Sequence, residues 1–297
     1  MQLEHVKGNT YYINFPSIIG VYIFPDETCL LIDSGASSAF ASKAHKLLRS
    51  KNLKVVAIFN THAHADHSGG NSYFQKESNC DIYATSFEAA FMENSLLGPY
   101  CLWTASPVNM LRNKFLMPEA SVINHKIKPG RIFINDEIFE VVDLPGHSME
   151  HVGIVTPDEV FFSGDSLISL HNLEKFPFLY MADVEKHIRT LEKLKDFDYP
   201  YTVFSHGGLM SDVKNVVVEN RKVLKHILTL IEDYIKTEKS REEIVSHVIK
   251  EMNLPDNRNQ YILIAGTISA YLSYLCNTKK ARIFTDDNNL KVILSDK

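Results

Sequence analysis

Four times in this chain a short run of strand-forming residues stops at a turn that carries histidine or aspartate. Residues 55–60 run into Thr61-His-Ala-His-Ala-Asp-His, 137–143 into Pro145-Gly-His147, 159–162 into Ser163-Gly-Asp165, and 201–204 into Ser205-His206. Short bounded runs rich in Val, Ile, Phe and Tyr read as strands. Strands that end in residue-bearing loops are how an α/β scaffold assembles one site from distant sequence. The recurrence therefore selects an α/β fold with a composite site.

The remaining pattern fills in around these runs. Residues 11–15, 20–24 and 28–33 read as strands, 37–50 as a helix, and helical sequence resumes at Gly70 before a strand at 81–84. The stretch 86–128 reads as a long irregular insertion, with Tyr100, Leu102, Trp103 and Met110 offered either to a lid over the site or to packing and dimer contact. Beyond Gly207-Gly208 the texture becomes helical over 215–236, 241–252 and 258–276, with Ser240 and Glu243 spaced as a capping box. Two β-prone runs around Asp286-Asp-Asn-Asn then predict a hairpin. Residues 1–212 thus read as one domain and 213–297 as a smaller helical one whose hairpin ending resembles a winged helix.

Composition narrows the function classes. At 297 residues with 45% hydrophobic content the chain can bury ordinary cores. A formal charge of −5 argues against a general polyanion-binding surface, although the basic excess lies in the C-terminal part. Cys29, Cys80, Cys101 and Cys276 form no CxxC pair, which points away from a disulfide framework and a cysteine zinc ribbon. No apolar run approaches the ~20 residues of a membrane helix, and the N-terminus lacks a basic region followed by an apolar run. A cytoplasmic protein without membrane association is the expectation.

In extended backbone, residues two apart share a face, so His62 and His64 can turn both imidazoles toward a single ion. Asp66 and His67 follow from the next turn. Carboxylates beside imidazoles suit zinc, iron or manganese.

THAHADHSGG matches the HxHxDH signature of the metallo-β-lactamase superfamily, and the downstream motifs follow in that family's order, so residues 1–212 resemble it. The resemblance implies an αββα sandwich of two mixed sheets flanked by helices. It implies two divalent metal ions, zinc first and iron or manganese as alternatives, with His62, His64 and His147 on one and Asp66, His67 and His206 on the other. Asp165 would bridge them, offsetting the repulsion of two cations. A shared hydroxide would be the nucleophile toward an ester, thioester, lactone or phosphodiester, with Asp66 orienting it. Asp33 and His151 read as residues that brace the ligands, His171 as a cavity neighbour, and the other histidines as structural.

Asp165 stands where the commonest zinc β-lactamases have cysteine, and His64 where flavin-linked di-iron relatives have glutamate. Glyoxalase II-like thioesterases share all seven positions, yet no basic set for glutathione is evident in 213–297. A small-molecule substrate is the expected partner. The alternative is a nucleic-acid-directed hydrolase or binding protein using the C-terminal region, with Lys279, Lys280 and Arg282 on phosphates. Covering the site, packing on it or forming a homodimer are the other roles open to that region.

Overall fold

The alternation of buried side chains along the central strands dictates a layered molecule. The computed structural model describes residues 1–210 and 212–295. The first sheet comprises β1 (Leu3–Lys7), β2 (Thr10–Ile13), β3 (Ile19–Ile23), β4 (Thr28–Ile32), β5 (Lys54–Phe59), β6 (Asp81–Thr85) and β7 (His125–Ile127), in sequence order. Its strands are antiparallel up to β4 and parallel from there on. The second comprises β8 (Gly130–Ile134), β9 (Glu137–Asp143), β10 (Val152–Val155), β11 (Val160–Phe162), β12 (Tyr201–Phe204) and β13 (Gly208–Met210), with β11 and β12 parallel and the other neighbours antiparallel. The helices are α1 (Ser38–Arg49), α2 (Ala65–Ser68), α3 (Asn71–Ser78), α4 (Ser86–Glu93), α5 (Leu97–Trp103), α6 (Leu170–Lys175), α7 (Val184–Lys195), α8 (Val213–Tyr234), α9 (Arg241–Glu251) and α10 (Arg258–Asn277).

On β4, Leu30 and Ile32 face the second sheet, whereas Cys29 and Leu31 face the helices, as a period of two requires. Between the sheets they meet Phe139, Val141, Ile154 and Phe162. Ala41, Ala44 and Leu48 of α1 cover the outer side of the first sheet. Ser37 caps α1 by accepting the Phe40 N–H, and Lys46 and Arg49 sit in its last turn, where the helix dipole favours cations. Outside the second sheet, Phe161 and Phe204 pack with Leu191 and Leu194 of α7 and Leu224 and Ile227 of α8. The result is the sandwich of two mixed sheets between helices that the resemblance implies.

The C-terminal helices extend this outer layer. Ile244, Val248, Ile268, Tyr271 and Leu275 belong to the same buried cluster as Phe161 and Leu191. Ser240 and Glu243 form the reciprocal capping box at α9. The hairpin β14 (Ala281–Asp286) and β15 (Asn289–Leu294) turns through Asp287 and Asn288, both at positive φ, as a two-residue turn needs. Among the basic residues near it, Lys280 pairs with Glu232 at 3.2 Å and Arg282 lies over the Phe284 ring. Among the described residues, no helix is long and apolar enough to cross a membrane.

The stretch expected to be irregular is helical in its first half, where α4 and α5 stand. Gly98-Pro99 reads as loop punctuation, but a proline in the first turn of a helix loses no internal hydrogen bond. The short strands β1, β7, β8, β10 and β13 had no counterpart in the sequence reading. Phe139 is fully buried between the sheets, edge-on to Tyr22 at 5.1 Å. Phe139→Ala should cost about 3–5 kcal/mol, measured as a lower urea midpoint with an unchanged denaturant slope; a loss within error would mean that the layers do not meet there.

Candidate metal centre

Strands β9, β11 and β12 run the same way, because β10 is antiparallel to β9 and β11 while β12 is parallel to β11. Their carboxyl ends release His147, Asp165 and His206 on one edge of the sandwich. The loop after β5 brings His62 and then His64, the latter in extended backbone, and the single turn of α2 supplies Asp66 and His67. That turn sits tightly against the loop after β4. A Cβ on Gly70 would lie 2.2 Å from the Ser34 carbonyl oxygen, and one on Gly69 2.6 Å from that of Ala36, so the glycines of the motif are steric requirements.

The seven side chains gather in two groups. His64 Nδ1 lies 3.0 Å from His62 Nε2 and 2.9 Å from His147 Nε2. In the second group, Asp66 Oδ2 is 3.3 Å from His67 Nε2 and 3.2 Å from His206 Nε2, and Asp165 Oδ2 is 3.5 and 3.4 Å from the same nitrogens. Asp165 Oδ2 also lies 3.6 Å from His147 Nε2, so one carboxylate oxygen faces both groups. Among the described residues, His67 Nε2 and Asp165 Oδ1 are buried without a hydrogen-bond partner.

Neighbouring groups orient four of the five rings. His147 Nδ1–H donates to the Tyr180 carbonyl at 2.9 Å and His206 Nδ1–H to that of Pro16 at 2.9 Å, which turns Nε2 of both rings toward the site. Asp33, at positive φ just beyond β4, accepts from the Thr61 N–H at 2.8 Å, the Thr61 hydroxyl at 2.9 Å and His67 Nδ1–H at 2.8 Å. With its proton given to Asp33, the Thr61 hydroxyl accepts from His62 Nδ1–H at 3.0 Å and turns His62 Nε2 inward. His151 Nε2 accepts the Asp165 N–H at 3.0 Å and braces that loop. Five imidazoles and two carboxylates converging in two groups fit divalent cations once His67 and His206 give up their Nε2 protons.

The two groups differ electrically. Burial pushes His62 well below the ordinary histidine range and His147 down to about 3, so the first is a cluster of neutral rings. In the second, Asp165 pushes His206 up to about 10, and against the lowering effect of burial the carboxylates of Asp66, Asp165 and Asp33 raise His67 well above its usual value. Burial works to raise Asp66 and Asp165, but His67 and His206 hold both well below the usual carboxylate range.

Two bracing residues had no sequence signal. Glu88 of α4 is buried and accepts from the Ala63 N–H, the Ser148 hydroxyl and the Glu150 N–H, tying the His62–His64 loop to the His147 loop. Burial pushes its carboxyl up. Ser17 donates its hydroxyl to Asp66 Oδ2 at 3.1 Å. The edge opens into a cavity of about 420 Å³, lined by His147, Asp165 and His206 together with Phe115, Tyr180 and Ile264 of α10. Of the insertion, Phe115 reaches this cavity; Tyr100, Leu102, Trp103 and Met110, the surface expected to wall it, are all outside its lining, as is His171, and Tyr100 and Trp103 are exposed on α5.

Residues 17–206 match the sequence profile described as the Metallo-beta-lactamase superfamily. The chain is similar to a hydroxyacylglutathione hydrolase of Wigglesworthia glossinidia brevipalpis, 27% identical over 158 residues, which are 53% of this chain and 49% of that protein. It thus spans about half the length of that relative. In fold it is similar to a metallo-beta-lactamase family protein from Thermus thermophilus, with a TM-score of 0.76 at 16% identity over 97% of this chain and 99% of that one. A beta-lactamase domain protein from Burkholderia ambifaria gives 0.77 at 15% identity, covering 99% and 93%. With its strand-end His and Asp residues gathered at one sandwich edge and its residues 17–206 matched throughout, this chain belongs to the metallo-beta-lactamase superfamily.

Proposed function

We propose that this chain is a dinuclear metal-dependent hydrolase acting on an ester or thioester with an apolar acyl part. The observation that carries the reading is Asp165 Oδ2, 3.4 to 3.6 Å from imidazole nitrogens of both groups. His62, His64 and His147 would hold one ion, Asp66, His67 and His206 the other, and Asp165 both. The donor set accepts zinc, iron or manganese, with zinc the proposed occupant. Once bound, such ions polarise a carbonyl oxygen and lower the pKa of water from about 15.7 toward about 7.

The chain's own residues supply the rest. Asp66, held by Ser17, is placed to accept a hydrogen bond and orient the attacking oxygen. Tyr180, whose ring stands 5.3 Å from that of His64, is kept protonated by burial and lends the cavity an O–H donor. The mainly apolar wall suits a hydrocarbon chain better than a phosphodiester. The hydroxyacylglutathione hydrolase relative, named for an acyl thioester, favours the same bond class. Pairing of Lys280 with Glu232 weakens the nucleic-acid alternative.

Asp165→Asn keeps the size and removes the charge shared by both groups. It should lose at least one equivalent of metal by elemental analysis and lower kcat/KM on an aryl ester or thioester by about 100-fold or more; wild-type turnover with two metals retained would defeat the assignment. Because His67 and His206 are raised, both are protonated in the metal-free protein at neutral pH and must release those protons to bind an ion. Calorimetry in buffers of different ionisation enthalpy should therefore register net proton release on metal binding at pH 7, and metal affinity should fall as the pH is lowered. Phe115→Ala should alter the kcat/KM ratio between a bulky and a small ester, whereas Trp103→Ala should leave it unchanged. The reverse pattern would return the specificity role to α5.

A further inference from the structure

From Asn94 to Leu111 the insertion carries no Asp, Glu, Lys or Arg, in a chain that is 23% charged. Surface segments ordinarily draw on those four residues, which are mostly exposed in folded proteins. Leu96, Tyr100 and Trp103 nevertheless stand 45%, 49% and 42% exposed in this neutral stretch. Their spacing of four and then three residues sets them in one stripe along α5.

The stripe is held in place from behind. Pro99 of α5 is buried, and Leu102 lies 3.6 Å from where a Cβ of Gly266 on α10 would be. A Cβ on Gly98 would lie 3.1 Å from the Leu116 carbonyl oxygen, and Leu111 is fully buried. The exposure is therefore that of a docked helix whose outer face the fold leaves uncovered. Arg112, the first cation beyond the stretch, is folded back onto the Pro107 carbonyl and the Ser106 hydroxyl, each at 3.2 Å.

Charge and area together select what covers this face. A two-fold interface sets a patch against its own copy, so charges would meet charges of like sign and a neutral patch fits itself. The net charge of −5 sharpens the point, because two copies meet without repulsion only through surface that carries none of it. A lipid surface is a poorer match: helices that lie on membranes carry Lys and Arg beside their apolar face, and residues 94–111 have neither. Leu96, Tyr100 and Trp103 present about 300 Å² between them, more than a third of the ~800 Å² that each partner of a stable dimer buries. Exposed Asn94, Thr104, Ser106 and Asn109 supply a neutral polar rim. Trp and Tyr are also the residue types that dominate binding energy at such contacts. We propose that the outer face of α5 is the contact of a homodimer, against which a second copy of this chain lays its own Leu96, Tyr100 and Trp103. The inference is independent of the hydrolase reading, since it concerns association and not turnover.

Trp103 is the sole tryptophan of the chain, so its emission reports on the contact directly. Sedimentation velocity on the metal-loaded full chain from about 1 to about 100 µM should show monomer converting to dimer. Over the same range the tryptophan emission should move to shorter wavelength and its quenching by acrylamide should fall. Tyr100→Lys, read by both methods, and Trp103→Glu, read by sedimentation, should each raise the dimer dissociation constant by about 100-fold. Phe133→Glu, which places a charge on an apolar residue 69% exposed on β8, should leave that constant unchanged within about twofold. Dilute Tyr100→Lys and Trp103→Glu should keep the circular dichroism of the dilute wild-type protein, because both side chains are exposed in the monomer; if either fails to fold, Leu96→Asp takes its place. A monomer at every concentration, a dimer that survives both α5 substitutions, or one that Phe133→Glu weakens equally would overturn the proposal. So would an emission shift that appears only when monomer meets vesicles of phosphatidylcholine and phosphatidylglycerol, which would assign the face to a lipid surface instead.

Discussion

A single buried carboxylate organises the site. Asp33 ends β4 in a left-handed conformation, 2% exposed, and gathers the backbone and hydroxyl of Thr61 and Nδ1 of His67. Through these bonds the loop after β4 is clamped to the loop after β5. Direct contact sets the tautomer of His67, and the Thr61 hydroxyl relays the same choice to His62. An asparagine would have to present an N–H where a donor already stands, so the clamp depends on an acceptor with two oxygens free. The loop geometry of the HxHxDH run thus depends on a residue outside it, through bonds whose geometry the low dielectric of the interior makes costly to break.

The electrical difference between the two groups follows from the same crowding. The His62, His64 and His147 rings sit where burial keeps them neutral, so that group is ready for a cation without losing protons. Asp66, Asp165 and Asp33 surround His67, and without a metal the imidazolium forms of His67 and His206 neutralise them. The second group therefore exchanges protons for metal, while the first does not. Glu88 offers a contrast: three donors satisfy it, but with no cation beside it burial raises its carboxyl, which suits a brace better than a ligand.

Much of this was legible in the sequence because it is local. The span of α1 from Ser38 to Arg49 is announced by a serine cap and a basic last turn, and the capping box of α9 by Ser240 and Glu243. The seven side chains that the strand-end motifs pick out are also the ones the fold brings together, since each sits within a few residues of a strand end. Glu88 and Ser17 were invisible for the opposite reason. Glu88 meets Ser148 across 60 residues and Ser17 meets Asp66 across 49, with no periodicity or spacing to announce either. Strand β10 was missed because Val-Gly-Ile-Val is too short and too uniformly apolar to show a period, and α5 because Gly98-Pro99 signals a loop unless the proline's place in the first turn is known.

The cavity was the least legible part, since its walls come from elements with no common pattern. Phe115 belongs to the insertion, Ile168 follows the Asp165 turn, and Leu263 and Ile264 stand on α10, nearly a hundred residues beyond. Helix α10 reaches the metal edge because its Ile268, Tyr271 and Leu275 are buried in the cluster that also covers the second sheet, so displacing α10 would expose both. Gly266 on the same helix leaves room for Leu102 of α5, 3.6 Å from where its Cβ would be, which ties the insertion to the C-terminal helices beside Tyr180. The seven converging side chains by themselves leave the choice of substrate undetermined. In this chain the cavity beside them is walled by Phe115 of the insertion, Ile168 and Phe178 beyond the Asp165 turn, and Leu263 and Ile264 of α10.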